Sequence, residues 1–204
     1  IDVPTLEASA KAMESPVYLA VSPGSWVYSG SALLSVDVLP DEQSLSRLRQ
    51  SFLVEPFRSH EQDPRYGLVV LAEIGMKALS PGVNDPGTAI QVLAMQEQVL
   101  AIWARRHLEE LPEAKYPHVF VPGLASADLF EDAFSGIARY GAGDFSVMLR
   151  LQKTLLGLFE QGDASFRKAA REQSALALKR CAKTDLLAED LSRIEAVASK
   201  MELF

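Results

Sequence analysis

The chain has 204 residues, of which 48% are hydrophobic and 23% charged, and this suffices for one large domain or two small ones with a substantial core. Its formal net charge of −7 argues against a nucleic-acid binder, which would show a basic surface. The single cysteine, Cys181, excludes a framework of intramolecular disulfides.

The first predicted elements are a short helix and a strand. A helix is expected over Asp2 to Glu14, because Pro4 suits a first turn and apolar residues follow at helical spacing. Between Val17 and Val21, apolar residues occupy every second position, which is typical of a strand. Pro23-Gly24 then predicts a turn.

The segment after this turn predicts more β structure. We expect a short strand at Trp26–Tyr28 and another at Ala32–Val38, with a turn between them. The spacing of proline, glycine and apolar residues over Val21–Val36 resembles half of a barrel sandwich of the lipoyl or adaptor type. No lysine occupies the hairpin tip, so we expect a structural role rather than lipoyl or biotinyl attachment.

The next segments divide the chain into two predicted parts. A polar helix is expected over 41–50, and Phe52–Phe57 suits either a strand or an extended entry. Beyond it the pattern is helical almost without interruption. We therefore predict a small β-containing element with flanking helices over residues 1–57, and a helical domain that carries the signature motif over residues 58–204.

A central, buried helix is predicted at Pro64 to Leu79, which carries only three charged residues. Two glycines, Gly67 and Gly75, lie within it. Each weakens a helix by about 1 kcal/mol relative to alanine. We expect that the close approach of a neighbouring backbone compensates for this cost.

Further helices are predicted along the rest of the chain, and the last carries an apolar stripe that includes Leu187 and ends at Met201. They run over Pro86 to about Glu110, Ala125–Tyr140, Phe145–Gln161, Asp163 to about Lys183, and from Asp185 onwards. A short strand at His118–Val121 is considered within the connector over 112–122. The resulting fold class is α+β, predominantly α-helical, with a small β-rich N-terminal element packed on a helical domain of about five main helices.

Two Asp-Pro pairs, Asp63-Pro64 and Asp85-Pro86, mark the starts of the two long helices. An aspartate at such a position accepts hydrogen bonds from the free amides of the first turn, and proline fills a position where no donor is needed. Both aspartates are therefore explained as helix caps. Ser80-Pro81-Gly82 is likewise explained as a helix stop in which Gly82 takes a positive φ.

Polar residues accompany these turns and form a candidate ligand-binding site. They are Arg58, Ser59, Gln62, Asp63, Ser80, Asn84, Asp85 and Thr88. Asn84 is also explained as a turn residue, and Thr88 as the completion of a cap. Arg58 has no local explanation. It either pairs with one of the two aspartates or, with helix N-terminal amides, holds a carboxylate or phosphate of a ligand.

The remaining side chains give no reaction centre. His60, His107 and His118 lack a second ligand at helical metal spacing. No nucleophile elbow, Walker-type loop or dinucleotide-binding glycine pattern is present. We therefore assign no catalytic residue, no metal and no cofactor, and favour a protein that is not an enzyme.

The strings around the turns resemble a known family. They are R-S-x-x-Q-D from Arg58, A-L-S-P-G-V-N-D-P-x-T-A over Ala78–Ala89, I-D-V-x-x-L from Ile1 and I-A-R-Y-G over Ile137–Gly141. Together they are similar to domain-of-unknown-function family 2254, the bacterial predicted membrane proteins. Two departures are mild, since Ser59 replaces the family's usual threonine and Lys77 replaces a frequent arginine.

The resemblance implies topology rather than an activity. Family members carry transmembrane helices before this region, so Ile1 is expected just after a membrane exit. The full-length protein is expected in the bacterial inner membrane, with this soluble domain on the cytoplasmic side. Its expected partners are its own N-terminal transmembrane region and further copies of itself in a homo-oligomer, and no nucleic acid.

Three functional hypotheses follow. The leading one is a non-catalytic soluble domain that assembles subunits or senses a small anion for a channel-like or transporter-like membrane part. The alternative is an enzyme with a polar site around Arg58, Asp63, Asn84 and Asp85, in which one aspartate is the general base. The third is a scaffold whose signature only joins helices. A fully hydrogen-bonded, buried motif favours a scaffold, and an open polar cleft favours ligand binding.

Overall fold

The computed structural model describes residues 1–108 and 113–202. It confirms the predicted class, because the chain is α+β and predominantly helical with a small three-stranded sheet. The chain divides into two compact units. Unit 1 comprises Ile1–Tyr66 and Pro112–Gly123, and unit 2 comprises Gly67–Leu111 and Leu124–Phe204.

Unit 1 combines short helices with the sheet. Its elements are α1 (Val3–Met13), β1 (Val17–Leu19), β2 (Leu34–Val36), α2 (Glu42–Gln50) and β3 (Val119–Phe120). Both helices begin as the sequence predicts, since the carboxylates of Asp2 and Asp41 accept hydrogen bonds from the amides of Thr5 and Ser44. The core of this unit is small. It consists of the buried Leu6, Ala10, Val17, Leu19 and Leu48, with partly buried apolar neighbours.

The sheet has the order β2-β1-β3. β1 pairs with β2 in antiparallel fashion, with Val17 opposite Val36, and with β3 in parallel fashion, with Val17 opposite Val119. The rings of Tyr18 and Phe120 stack at 5.1 Å between centroids. The short strand considered in the connector is therefore present, and it belongs to unit 1.

The strand predicted at Trp26–Tyr28 is wrong, because those residues lie in a loop. Two serine-based turns explain the difference. The amide of Ser22 donates to Oγ of Ser25, and the amide of Tyr28 donates to Oγ of Ser31. These local bonds occupy amides that a strand ladder would need. The expected half barrel sandwich is reduced to one hairpin and a two-residue strand.

Unit 2 is built from helices around α7. Its described elements are α3 (Tyr66–Ala78, whose first residue lies in unit 1), α4 (Pro86–Leu108), α5 (Ser126–Phe130), a π-helical segment (Glu131–Ser135), α6 (Gly136–Tyr140), α7 (Phe145–Gln161), α8 (Ala164–Cys181), α9 (Ala188–Ala198) and a final 3₁₀ turn (Ser199–Met201). α7 packs against α4, α8 and α9 and is the central helix. The predicted end of α4 at Glu110 lies outside the described residues.

Three predictions about unit 2 are wrong. α3 is less buried than predicted, because Ile74 is 46% exposed. Contrary to the prediction, neither of its glycines is closely approached by a neighbouring backbone. Nothing lies within 4 Å of a Cβ added at Gly67, and a Cβ added at Gly75 would lie 2.8 Å from the Ile137 side chain. The last helix begins at Ala188 rather than Asp185, and Leu187 precedes it with 69% of its surface exposed.

Within the described helices of this chain, none combines the length and the apolar character that a bilayer crossing requires.

Candidate functional site

A cleft of about 570 Å³ lies beside the first part of the signature motif in unit 1. It is lined by Ile1 and by residues from two segments, 21–33 and 52–63. Four of the predicted site residues lie on its wall: Arg58, Ser59, Gln62 and Asp63. The cleft combines these polar residues with a larger number of apolar ones, including Trp26, Leu53 and Phe57.

Arg58 and Asp63 form an ion pair on the wall of this cleft. Nε of Arg58 donates to Oδ2 of Asp63 at 2.6 Å, and the guanidinium lies 5.3 Å from the centre of the Tyr66 ring. Oδ1 of Asp63 accepts from the amides of Arg65 and Tyr66 at 3.0 and 3.1 Å. Asp63 is therefore a helix cap, and both of its oxygens are engaged while it is buried.

Gly24 covers this ion pair. Its φ is +80°, and a Cβ added there would overlap Oδ2 of Asp63 and lie 3.1 Å from Nε of Arg58. The Pro23-Gly24 turn, predicted only as a chain reversal, therefore also supplies the surface that buries Asp63. Only glycine meets both requirements.

Gln62 holds the backbone of Ile1. Its Oε1 accepts from the nitrogen of Ile1 at 2.6 Å, and its Nε2 donates to the carbonyl of Ile1 at 3.2 Å. This pair of bonds fixes Ile1 at the cleft. Ser59 lines the cleft as an exposed residue.

The other four predicted site residues, Ser80, Asn84, Asp85 and Thr88, lie in unit 2. Asp85 is a helix cap, since it accepts from the amide of Thr88 at 3.1 Å and from the Thr88 hydroxyl. The hydrogen bond from the Thr88 hydroxyl, which has the largest effect, and the bond from the Thr88 amide lower the pKa of Asp85 below its ordinary value. The predicted role of Thr88 in completing the cap is confirmed.

The turn between α3 and α4 places its left-handed residue differently from the prediction. Asn84, not Gly82, has the positive φ, at 49°. The amide of Asn84 donates to the carbonyl of Ser80 at 2.9 Å, and the Ser80 hydroxyl donates to the carbonyl of Lys77 at 2.7 Å. Asparagine tolerates this conformation better than most residues because of its short polar side chain. Ser80 and Asn84 thus both contribute to ending α3.

Unit 1 has an exposed apolar surface that the sequence did not predict. We define the unit 1 apolar surface as Trp26, Tyr28, Leu53, Val54 and Phe57, whose exposed fractions are 79%, 74%, 77%, 65% and 83%. All except Tyr28 line the cleft, and Tyr28 contacts Trp26 edge to face. The sequence predicted a strand at Trp26–Tyr28 and either a strand or an extended entry at Phe52–Phe57, and neither prediction indicated an exposed apolar surface.

Two partly buried polar contacts were also missed. In unit 2, Glu97 of α4 accepts from Arg150 at 2.6 Å and from the Thr154 hydroxyl at 2.9 Å. In unit 1, Glu7 accepts from the amide and ring of His118 at 3.0 and 2.8 Å. Both contacts join residues more than fifty positions apart, so no local pattern in the sequence predicts them. Each contact fastens two elements of its unit together.

Metal ligands do not assemble in the described part of the chain, where no group of three or more histidine, cysteine, aspartate or glutamate side chains is placed to hold an ion.

Comparison with known proteins gives a family and uncharacterised relatives. The sequence model described as "Predicted membrane protein (DUF2254)" matches residues 1–156. One uncharacterised protein of Mycobacterium bovis and two of Mycobacterium tuberculosis are each 32% identical over 126 residues. That region is 60% of this chain but only 24% of each relative. No solved structure matches.

Proposed function

The chain belongs to the DUF2254 family of predicted membrane proteins, and from that premise we propose that it is a non-catalytic domain that assembles the subunits of a membrane protein. In this proposal the domain lies outside the bilayer, on the cytoplasmic side of a bacterial inner membrane. Copies of it associate into a homo-oligomer and bias a channel-like or transporter-like membrane part.

The observation that carries the proposal is an apolar stripe on the outer face of α4. Met95, Val99 and Ile102 follow one another at helical spacing and are 50%, 47% and 48% exposed. The opposite side of α4 is buried in the core through Leu93 and Leu100. A surface helix in a monomer normally carries polar residues on its outer face. This stripe therefore supports a contact with another subunit.

A second copy of the chain is the occupant that the charges favour. The exposed positions flanking the stripe include Gln91 and Gln98, which are uncharged. The carboxylate of Glu97 is neutralised by Arg150 within the same unit. Two α4 helices can therefore pack about a twofold axis through the part of the stripe between Gln91 and Gln98 without opposing like charges, whereas the exposed Arg105 lies one turn beyond Ile102.

The enzyme alternative receives less support. It requires an aspartate whose carboxylate is free of capping and whose pKa suits proton abstraction. Both carboxylate oxygens of Asp63 already accept hydrogen bonds. The hydrogen bonds from Thr88 lower the pKa of Asp85, and this makes Asp85 a weaker base. The cleft beside Asp63 satisfies the other requirement, a place for a ligand.

Sensing of a small anion is the second candidate function, and the position of Arg58 favours it. The Arg58 side chain is 35% exposed and lines the cleft with Ser59 and Gln62. Its ion pair with Asp63 leaves little net positive charge, which is why assembly is the better supported function.

Sedimentation velocity of the wild-type chain and of Val99→Asp tests assembly. We expect concentration-dependent association of the wild type, and an increase of about tenfold or more in its dissociation constant for the variant, because a buried unpaired carboxylate opposes association. Val121→Asp, at a valine that is 62% exposed in unit 1, is the matched control and should associate like the wild type. A wild type that stays monomeric at high concentration would contradict the proposal.

Calorimetric titration with inorganic phosphate tests the anion candidate. Heat of binding that disappears in Arg58→Gln, while the variant keeps its folded circular-dichroism spectrum, would support it. Identical weak heats in both proteins would rule out a role for Arg58 in sensing phosphate.

A further inference from the structure

Subunit assembly through α4 does not use the unit 1 apolar surface, whose five side chains are each at least 65% exposed. We propose that this surface inserts into the boundary between headgroups and acyl chains of a lipid bilayer. This inference goes beyond the assembly function and involves a different surface in a different unit. It therefore stands or fails independently of the contact through α4.

The residue types fit a bilayer interface. Trp26 and Tyr28 combine an apolar ring with one polar group, and such rings are enriched at the depth of lipid headgroups. Leu53, Val54 and Phe57 add aliphatic and aromatic area without a hydrogen-bonding requirement. Their exposures of 65% to 83% leave most of each side chain free to enter lipid.

The charge distribution fits lipid rather than a charged protein partner. No charged residue lies between Glu14 and Asp37 in the sequence, and the charged residues that line the cleft are Glu55, Arg58, Glu61 and Asp63. The guanidinium of Arg58 is paired with the carboxylate of Asp63. Because Arg58 is the only lysine or arginine among the cleft-lining residues, binding depends on apolar area and not on anionic headgroups.

The loop that carries the aromatic rings is held in a defined shape. Its two serine-based turns fix residues 22–25 and 28–31, and Gly24 docks on the buried ion pair. Folding has thus already restricted the conformations of this loop, so the loop loses less conformational entropy when it binds. Two segments that are distant in sequence present their apolar side chains around one cleft.

Vesicle cosedimentation of the full 204-residue chain tests the proposal. With phosphatidylcholine vesicles we expect binding of the wild type, and a partition coefficient at least about tenfold lower for Trp26→Ser/Phe57→Ser, from the loss of two large apolar side chains. Leu187→Ser, at a leucine that is 69% exposed in unit 2, is the matched control and should bind like the wild type. Adding phosphatidylglycerol to one fifth of the lipid, or raising the salt concentration, should change binding little.

Fluorescence in a Trp103→Phe background isolates Trp26 as the single tryptophan. Vesicles should shift its emission to shorter wavelength, and brominated phosphatidylcholine should quench it. Unchanged emission, or no vesicle binding by the wild type, would overturn the proposal. Self-association that the Trp26→Ser/Phe57→Ser variant abolishes would overturn it too, by identifying a second copy as the occupant.

Discussion

At the scale of single residues, Gly24 shows how one position joins two parts of unit 1. Its backbone lies against the ion pair between Arg58 and Asp63, which are more than thirty residues further along the chain. The side chain of Asp63 is only 3% exposed, so the pair depends on this cover. A buried carboxylate that loses its partners is strongly destabilising.

Gly24→Ala is expected to lower the free energy of unfolding by about 2–4 kcal/mol, because the positive φ is unfavourable for alanine and the added methyl displaces Asp63. Gly30→Ala is the matched control, since Gly30 has a φ of +90° and nothing within 4 Å of the added Cβ. It should cost only about 1 kcal/mol. Urea denaturation measures both, and equal costs would show that the Gly24 contact is unimportant.

The pH dependence of stability should report on Glu7. Burial raises the pKa of Glu7, but the hydrogen bonds from His118 and Lys11 outweigh it and place that pKa below the ordinary 4.5. The carboxylate therefore adds stability above about pH 4.5, and this is lost as the pH falls through the lowered pKa. Glu7→Gln should flatten the fall in unfolding free energy below that pH.

Urea denaturation at a series of pH values from 7 down to 3 measures this slope. Asp85→Asn provides a comparison in unit 2, because the pKa of Asp85 is also lowered, first by the Thr88 hydroxyl. If neither variant changes the acid slope, the carboxylates do not contribute to stability as their hydrogen bonds indicate.

At the scale of elements, the helix predicted over Ala125–Tyr140 is present but contains the π-helical segment Glu131–Ser135. The carbonyl of Ala133 in this segment accepts from Nε2 of Gln96 at 2.8 Å. Gln96 is fully buried, and its Oε1 has no hydrogen-bond partner in the structure. A π-helical segment changes which backbone carbonyls are available, and here a side chain from α4 satisfies one of them.

Gln96→Ala is expected to cost about 2–4 kcal/mol in unfolding free energy, since it leaves a cavity and removes the donor to the Ala133 carbonyl. Gln161→Ala serves as the control. Its amide donates to Gly157 at an exposed site within α7, so the change should stay within about 0.5 kcal/mol. Thermal unfolding followed by circular dichroism distinguishes the two. Similar small effects would mean that the π-helical segment does not need the Gln96 contact.

Element positions were predictable wherever a local signal decided them. The N-caps Asp2, Asp41, Asp144 and Asp163 each accept from an amide three residues ahead, and the helices begin directly after them. Asp185 has the same residue type but caps nothing, and α9 starts at Ala188. A cap residue alone therefore permits a helix start without fixing it, because packing of the following residues must agree.

At the scale of the whole molecule, the two units differ in the size of their cores. Among the described residues, five buried apolar side chains form the core of unit 1. The core of unit 2 has several buried aromatic rings, including Phe130, Phe134 and Phe166 in edge-to-face contact. Larger cores bury more apolar surface per residue and support greater local stability.

Hydrogen exchange followed by mass spectrometry should show this difference. Amides of β1 and β2 in unit 1 are expected to exchange before those of α7, because local opening exposes less apolar surface in the smaller unit. Leu155→Ala, in the middle of α7, should speed exchange in unit 2 most strongly. Equal protection of β1 and α7 in the wild type would show that the chain opens only as a whole.

The sequence by itself determined the fold class, most helix starts, the capping roles of Asp63 and Asp85, and the resemblance to the family. These depend on hydrogen bonds and periodicities within a few residues of the chain. The tertiary structure decided the partner of Arg58, the parallel pairing of β3 with β1, the closeness of Gly24 to Asp63 and the exposure of the apolar surfaces. Each of these depends on which segments, distant in sequence, contact one another in the fold. Such tertiary contacts, and not the neighbours of a residue in sequence, determine whether its side chain is buried.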